Sequence, residues 1–209
     1  ALILDYAGNR QALADEAFEQ DYFPIPLGVK TMVHLNGPPH VRYRQLLQPA
    51  FTPKAIRHWE TNAIPSVLST LFDELAAQQR PDILAMIRAY PSRAFMPMMG
   101  LPDEDASYMR ALGAMSAAAA FVPNSAEFIE DLKNYLRRQV EQRRSLPGSV
   151  LAERTDLISK LVAARWDDDK LTDDELIGSL GLLVEGGVDT TAYLAGNCVF
   201  MLLTRPDLM

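Results

Sequence analysis

Of the 209 residues only one, Cys198, is a cysteine, and only three are histidines. A single thiol excludes an internal disulfide framework and a cysteine-built zinc site within the chain, and it fits a reducing compartment. Positive charge is also scarce: 20 lysines and arginines stand against 27 acids, for a net charge of −7. An acidic chain attracts neither nucleic acid nor an anionic membrane surface, so neither is expected as the main partner. Alternating strand patterns are nearly missing, and internal repeats and low-complexity tracts are missing altogether. Ala1-Leu2-Ile3-Leu4-Asp5 has no basic stretch ahead of an apolar one, so it is not a signal peptide. No glycine loop follows a strand and no nucleophile elbow is present, which removes phosphate-loop and serine-hydrolase readings.

What is present is a helical chain. Apolar residues make up 48% and charged residues 22%, as in an ordinary globular domain of this length. Leu2 to Tyr6 is expected to form a short strand and Arg10 to Phe18 a short helix, followed by a long loop from Phe23 to Pro39. Thr52-Pro53 offers a capping hydroxyl and a first-turn proline, and Pro65 marks a kink or a fresh start. Gly100-Leu101-Pro102 closes one helical stretch, and Asp103-Glu104-Asp105 favours the start of the next. Phe128, Ile129, Leu132, Leu136 and Val140 form another amphipathic stripe with a basic last turn. The fold class is therefore all-α, predominantly helical, with minor β near the N-terminus. The abrupt ends, Ala1 and Thr204-Arg205-Pro206-Asp207-Leu208-Met209, suggest a piece of something longer.

The longest helix is the most informative. Thr172 and Glu175 spell a capping box, and Leu176 to Leu203 contains no proline and almost no charge. A membrane span is the rival reading, but Glu185 and Asp189 sit mid-segment, where an acid costs about 2.5–3.5 kcal/mol on insertion scales. A buried core helix is the better expectation. Its centre reads Glu185-Gly186-Gly187-Val188-Asp189-Thr190-Thr191. Adjacent glycines inside a helix cost about 1 kcal/mol each relative to alanine, so packing or function must require them. Thr190 shares a face with Gly186 and Gly187, which makes a bare notch with a hydroxyl at its lip, open to a flat ligand. Such a threonine can bond a carbonyl one turn back and widen the helix. Asp189 adds a buried carboxylate, which is costly unless paired or used. A tight helix crossing at the glycines, with Asp189 in a structural ion pair, accounts for the same residues.

A second constellation is Gly37-Pro38-Pro39-His40-Val41-Arg42-Tyr43-Arg44, followed by Phe51-Thr52-Pro53. In a helix starting near Pro39, His40 and Arg44 share one face while Arg42 points elsewhere. Imidazole plus guanidinium makes a clamp for carboxylates or phosphates, and a solvated basic face is the bland alternative. Zinc is not expected, because no cysteine or carboxylate stands at ligand spacing beside His40. The Met86, Met96, Met98 and Met99 stretch is read as core filling, and Asp167-Asp168-Asp169 as a solvated loop.

Taken in order, these segments resemble the cytochrome P-450 family of haem-thiolate monooxygenases in its soluble bacterial form. The Pro-Pro-His-Val-Arg-Tyr-Arg run resembles the start of that family's C helix, and Gly186-Gly187-Val188-Asp189-Thr190-Thr191 its oxygen-binding groove in the I helix. The resemblance implies one partial domain over residues 1–209, a heme b cofactor (iron protoporphyrin IX), dioxygen and a small organic substrate. It also implies a ferredoxin or flavodoxin-type electron donor and a cytoplasmic setting. His40 and Arg44 would hold the haem propionates, Gly186 and Gly187 would let the porphyrin lie against the helix, and Asp189 and Thr190 would deliver protons. Glu185 stands where an apolar substrate contact is expected, so it would anchor a polar substrate group. Three departures accompany these matches. Asn36 replaces the usual aspartate before the Pro-Pro-His run. The Glu-x-x-Arg pair expected after the groove is missing, and Glu141-Gln142-Arg143-Arg144 precedes it. No axial thiolate is assignable, since Cys198 lies inside the same helix with Phe200 where the loop glycine would follow. The chain alone is therefore expected to be inactive as an oxygenase. A helical module that binds a hydrophobic ligand or a partner helix is the alternative from another class.

Overall fold

The structure, a computed structural model, describes residues 2–15, 17, 18, 28–117 and 126–208. Among these the ten α-helices are α1 (Tyr6–Ala14), α2 (Gly37–Leu47), α3 (Pro53–Asn62), α4 (Ile64–Ala76), α5 (Ile83–Met99), α6 (Ala106–Ala117), α7 (Ala126–Arg144), α8 (Gly148–Glu153), α9 (Leu157–Ala163) and α10 (Asp173–Thr204), with short 3-10 turns between several of them. The only β-type pairing among the described residues is one bridge, between Trp166 and Asp169.

The strand expected at Leu2–Tyr6 does not form. Asp5 instead caps α1, its Oδ1 accepting from the Gly8 N–H at 2.7 Å, and no described strand lies beside Ile3 and Leu4 for them to pair with. The helix expected over Arg10–Phe18 accordingly starts four residues early. The loop read from Phe23 to Pro39 is shorter: residues 23–27 lie outside the described ones, a 3-10 turn spans Met32–His34, and α2 already begins at Gly37. Thr52 caps α3 and Pro65 stands at the start of α4, so the chain restarts there rather than kinking. Pro91 and Pro97 lie inside α5, which nevertheless runs unbroken to Met99. It ends at Gly100, whose φ of +75° is one that side chains with a Cβ rarely adopt. A Cβ there would also stand 2.5 Å from the Asp156 side chain.

Helix α10 is the axis of the packing. At 32 residues it spans about 48 Å, and it packs against α5, α6 and α7. The core is continuous from Leu46 and Trp59 through Met96, Met99 and Met109 to Leu132, Leu157 and Leu180, so Met96 and Met99 fill space as read, Met98 packs against the core, and Met86 lies outside it. The capping box is in place: Thr172 accepts from the Glu175 N–H, and Glu175 accepts from the Thr172 N–H at 2.8 Å. The last turn of α7 is basic as read, with Arg143 and Arg144. Arg143 is also buried, bonded to the Gly100 carbonyl and 3.8 Å from the Asp156 carboxylate. Burial holds its pKa below the usual arginine range, against the opposing pull of Asp156.

Candidate functional site

The two glycines of α10 face different surroundings. A Cβ at Gly187 would meet the Phe95 ring of α5 at 3.1 Å, whereas one at Gly186 would meet nothing within 4 Å. Gly187 therefore lets α5 approach closely, and Gly186 leaves bare, open helix surface. Both sequence readings of the pair, crossing and notch, apply, one to each glycine. Thr190 is exposed, and its Oγ1 donates to the Gly186 carbonyl at 2.5 Å. The helix stays α through this turn, so the back-bond forms without the expected widening. The bond turns the hydroxyl along the notch and leaves its oxygen free to accept. Asp189 is half-buried rather than buried and has no side-chain partner among the described residues, so it is not held in an ion pair. Glu185, one turn earlier, is half-buried and engaged.

On α2, His40 is half-buried and Arg44 exposed, one turn apart, and neither has a hydrogen-bond or ion-pair partner among the described residues. His40 also lines a groove of about 590 Å³ with Leu13, Phe18, Met32, Leu35 and Asn36. Asn36 precedes α2 but does not cap it; its Nδ2 donates instead to the Phe18 carbonyl at 3.0 Å. No described hydrogen bond joins the His40–Arg44 pair to the Gly186–Thr190 turn.

The sequence reading missed what connects α2 to α10. Arg42 Nε donates to Asp169 Oδ2 at 2.5 Å, and its Nη1 to Glu175 Oε1 at 2.9 Å. Nη2 reaches Asp169 Oδ1, Glu175 Oε2 and the Lys170 carbonyl. Asp169 is thus an ion-pair partner, not part of a solvated loop. Its turn is tightened by Asp167, at φ +53°, and the Trp166–Asp169 bridge. The Arg42 guanidinium holds the Asp169 carboxyl below its usual range. Burial pushes Glu175 up, but the bonds from Arg42 and the Thr172 N–H outweigh it, and its pKa too ends low. Next to Arg42, Tyr43 is pushed up to about 12 by burial and by Glu175, and its hydroxyl donates to the Lys30 carbonyl at 3.0 Å.

The donor set and the bare surface suit a flat, dianionic ligand: Gly186 offers a place against the helix, and His40 with Arg44 offers N–H donors to carboxylates. A helical protein whose central helix leaves an open glycine surface at its middle is the class these features define. The family model described as Cytochrome P450 matches residues 120–209. The polyketide biosynthesis cytochrome P450 PksS of Bacillus subtilis (strain 168) is 32% identical over 177 residues, 82% of this chain and 42% of the relative. The mycinamicin IV hydroxylase/epoxidase of Micromonospora griseorubida is 32% identical over 182 residues, 85% of this chain and 44% of the relative. A solved structure of the mixed-function P450 MycG superposes with a TM-score of 0.79 at 26% identity, covering 97% of this chain and 53% of that one. The chain belongs to the cytochrome P450 family and spans about half the length of the curated relatives it matches. Among the described residues no helix is long and apolar enough to cross a membrane.

Proposed function

We propose that this chain, a single partial domain over residues 1–209, works in a haem-dependent monooxygenase. In that reaction one atom of dioxygen enters an organic substrate and the other leaves as water, with two electrons and two protons consumed. The observation that carries the reading is the open Gly186 surface beside a threonine hydroxyl fixed on the Gly186 carbonyl. Heme b, when bound, supplies dioxygen activation at its iron.

The chain's own residues do the rest. His40 and Arg44 donate to the porphyrin carboxylates, and Gly186 keeps a side chain off the surface the ring lies against; Gly187, given the same role by the sequence, instead lets α5 pack behind it. Thr190 Oγ1 presents a hydroxyl that accepts and passes on a proton, and the half-buried Asp189 carboxyl next to it replenishes that proton. Glu185 anchors a polar or cationic group of the substrate. Electrons come from a ferredoxin or flavodoxin-type donor in the cytoplasm. No axial ligand is assigned: Cys198 is exposed within α10.

Titration of the chain with haem, followed by absorbance, tests the reading. His40→Ala and Arg44→Ala are each expected to weaken binding by about ten- to a hundredfold, since charge-assisted hydrogen bonds contribute about 1.5–3 kcal/mol. Haem binding indifferent to both variants would sink the clamp and favour a helical module that docks an apolar partner on the exposed side of α10. For Glu185, replacement by leucine in the intact enzyme is expected to shift preference toward apolar substrates. An unchanged preference removes that role.

A further inference from the structure

We infer that Arg42 is a positioning residue: by bridging the 166–169 turn and the first turn of α10, it fixes the roll of α2 and so the direction in which His40 and Arg44 present their donors. The inference rests on the carboxylate-clamp reading of those two residues. At about 100° per residue, His40 and Arg44 lie about 40° from each other and about 160° from Arg42 around the helix. Tyr43, Leu46 and Leu47, the buried residues of α2, fill the arc between. Val41 and Gln45 fall on the remaining, exposed side. The helix thus rests on a central apolar strip with Arg42 on one flank and the clamp on the other.

An apolar strip alone lets a helix roll, because dispersion contacts are weakly directional. A guanidinium is different: its planar fork fixes direction when it is shared between acceptors. Arg42 is bonded to both Asp169 and Glu175 and to the Lys170 carbonyl. Neither acceptor is loose. The Lys170 N–H donates to Asp169 at 2.7 Å, and Glu175 is the carboxylate of the capping box. Two carboxylates also saturate the Arg42 charge, which leaves Arg44 as the arginine available to a ligand. The adjoining contacts reinforce the seat: Tyr43 bonds the Lys30 carbonyl, and Val29 and Thr31 lie against Gly178 of α10.

Two probes separate positioning from mere structural support: haem, and haem dimethyl ester, whose carboxylates are blocked. Wild-type chain is expected to bind haem more tightly than the ester. Arg42→Gln is expected to weaken haem binding about tenfold, or about 1.4 kcal/mol, and to leave ester binding within about twofold. Asp169→Asn, a milder change on a half-exposed turn, is expected to lower haem affinity with the same selectivity, and it carries the test if Arg42→Gln does not fold. Equal losses on both probes, or no loss on haem, would overturn the inference. If the wild-type chain binds the two probes equally, or the His40→Ala and Arg44→Ala variants bind haem normally, the clamp itself fails and this inference falls with it.

Discussion

Along the first half of α10, Leu176, Leu180 and Val184 are shut off from solvent by α5, α6 and α7, and burial extends to Val188. Along the second half no residue is buried, although the side chains are just as apolar: Tyr193 is 71% exposed, Phe200 62% and Leu203 71%. The site lies at the change-over, with Gly187 packed on Phe95 and Gly186 open. Within this chain, which spans about half the length of its curated relatives, the first half is covered and the second is not, so apolar character alone does not say which half this stretch of chain buries.

The sharpest way to break that contrast is to delete the same side chain from each half. Leu180→Ala is expected to cost about 2–5 kcal/mol, since a fully buried leucine leaves both lost burial and a cavity. Leu203→Ala is expected to change stability by less than about 0.5 kcal/mol. Urea unfolding of both variants checks this, and equal losses would show that the second half is covered in solution. A related expectation concerns association: a broad exposed apolar face promotes self-association. Leu194→Lys with Phe200→Lys should reduce light scattering of the concentrated chain, and no change would point to another sticky surface.

The glycines sharpen the contrast at single-residue scale. At Gly187 a methyl group would press the buried Phe95 ring at 3.1 Å, so Gly187→Ala is expected to lose about 1 kcal/mol despite its better helix propensity. At Gly186 the methyl enters open space, so Gly186→Ala is expected to gain about 0.5–1 kcal/mol in unfolding measurements. The same variant should weaken haem binding, because the methyl occupies the surface the ring needs. Stabilisation accompanied by unchanged haem affinity would remove Gly186 from the cradle.

Much of this was legible in the sequence for physical reasons. The Thr172–Glu175 box fixed where α10 starts, and a proline-free apolar run fixed that it continues; both are local signals. The mid-helix glycines, costly in any helix, marked the site. What was not legible depended on partners far along the chain. Nothing near Arg42 tells that Asp169, 127 residues on, will accept from it. Arg143 stands in a basic last turn, and nothing local tells that Gly100 and Asp156 will be brought beside it. Leu2 to Tyr6 has strand-forming residues, yet a strand needs a neighbour, and a capping aspartate decided in favour of helix α1.

Acid should loosen the seat of α10's first half. Asp169 and Glu175 titrate below their ordinary values of 3.8 and 4.5. A folded-state pKa below the unfolded one stabilises the fold fully above the unfolded value, and that contribution is lost as pH falls through the folded one. The Arg42 bridge is therefore intact at neutral pH and is expected to fail progressively below about pH 4.5. Unfolding midpoints measured from pH 7 downward should fall less steeply in Arg42→Gln than in the wild type over that window. Identical slopes would show that other carboxylates govern acid unfolding and that the bridge contributes little to stability.

The smallest effect is expected at Thr190. Valine keeps its shape and removes the donor to the Gly186 carbonyl. Because the residue is exposed and a back-bonded threonine adds little to a helix, Thr190→Val should shift stability by less than about 0.5 kcal/mol. Haem affinity should also hold, since the hydroxyl makes no bond to the clamp and valine keeps the threonine's shape beside Gly186. On the proposed proton role of Thr190, what should change is the coupling of electron use to substrate oxidation in the intact enzyme, because valine offers no hydroxyl to pass a proton on. A Thr190→Val enzyme with unaltered coupling would leave the threonine as helix packing and move the burden of proton delivery to Asp189.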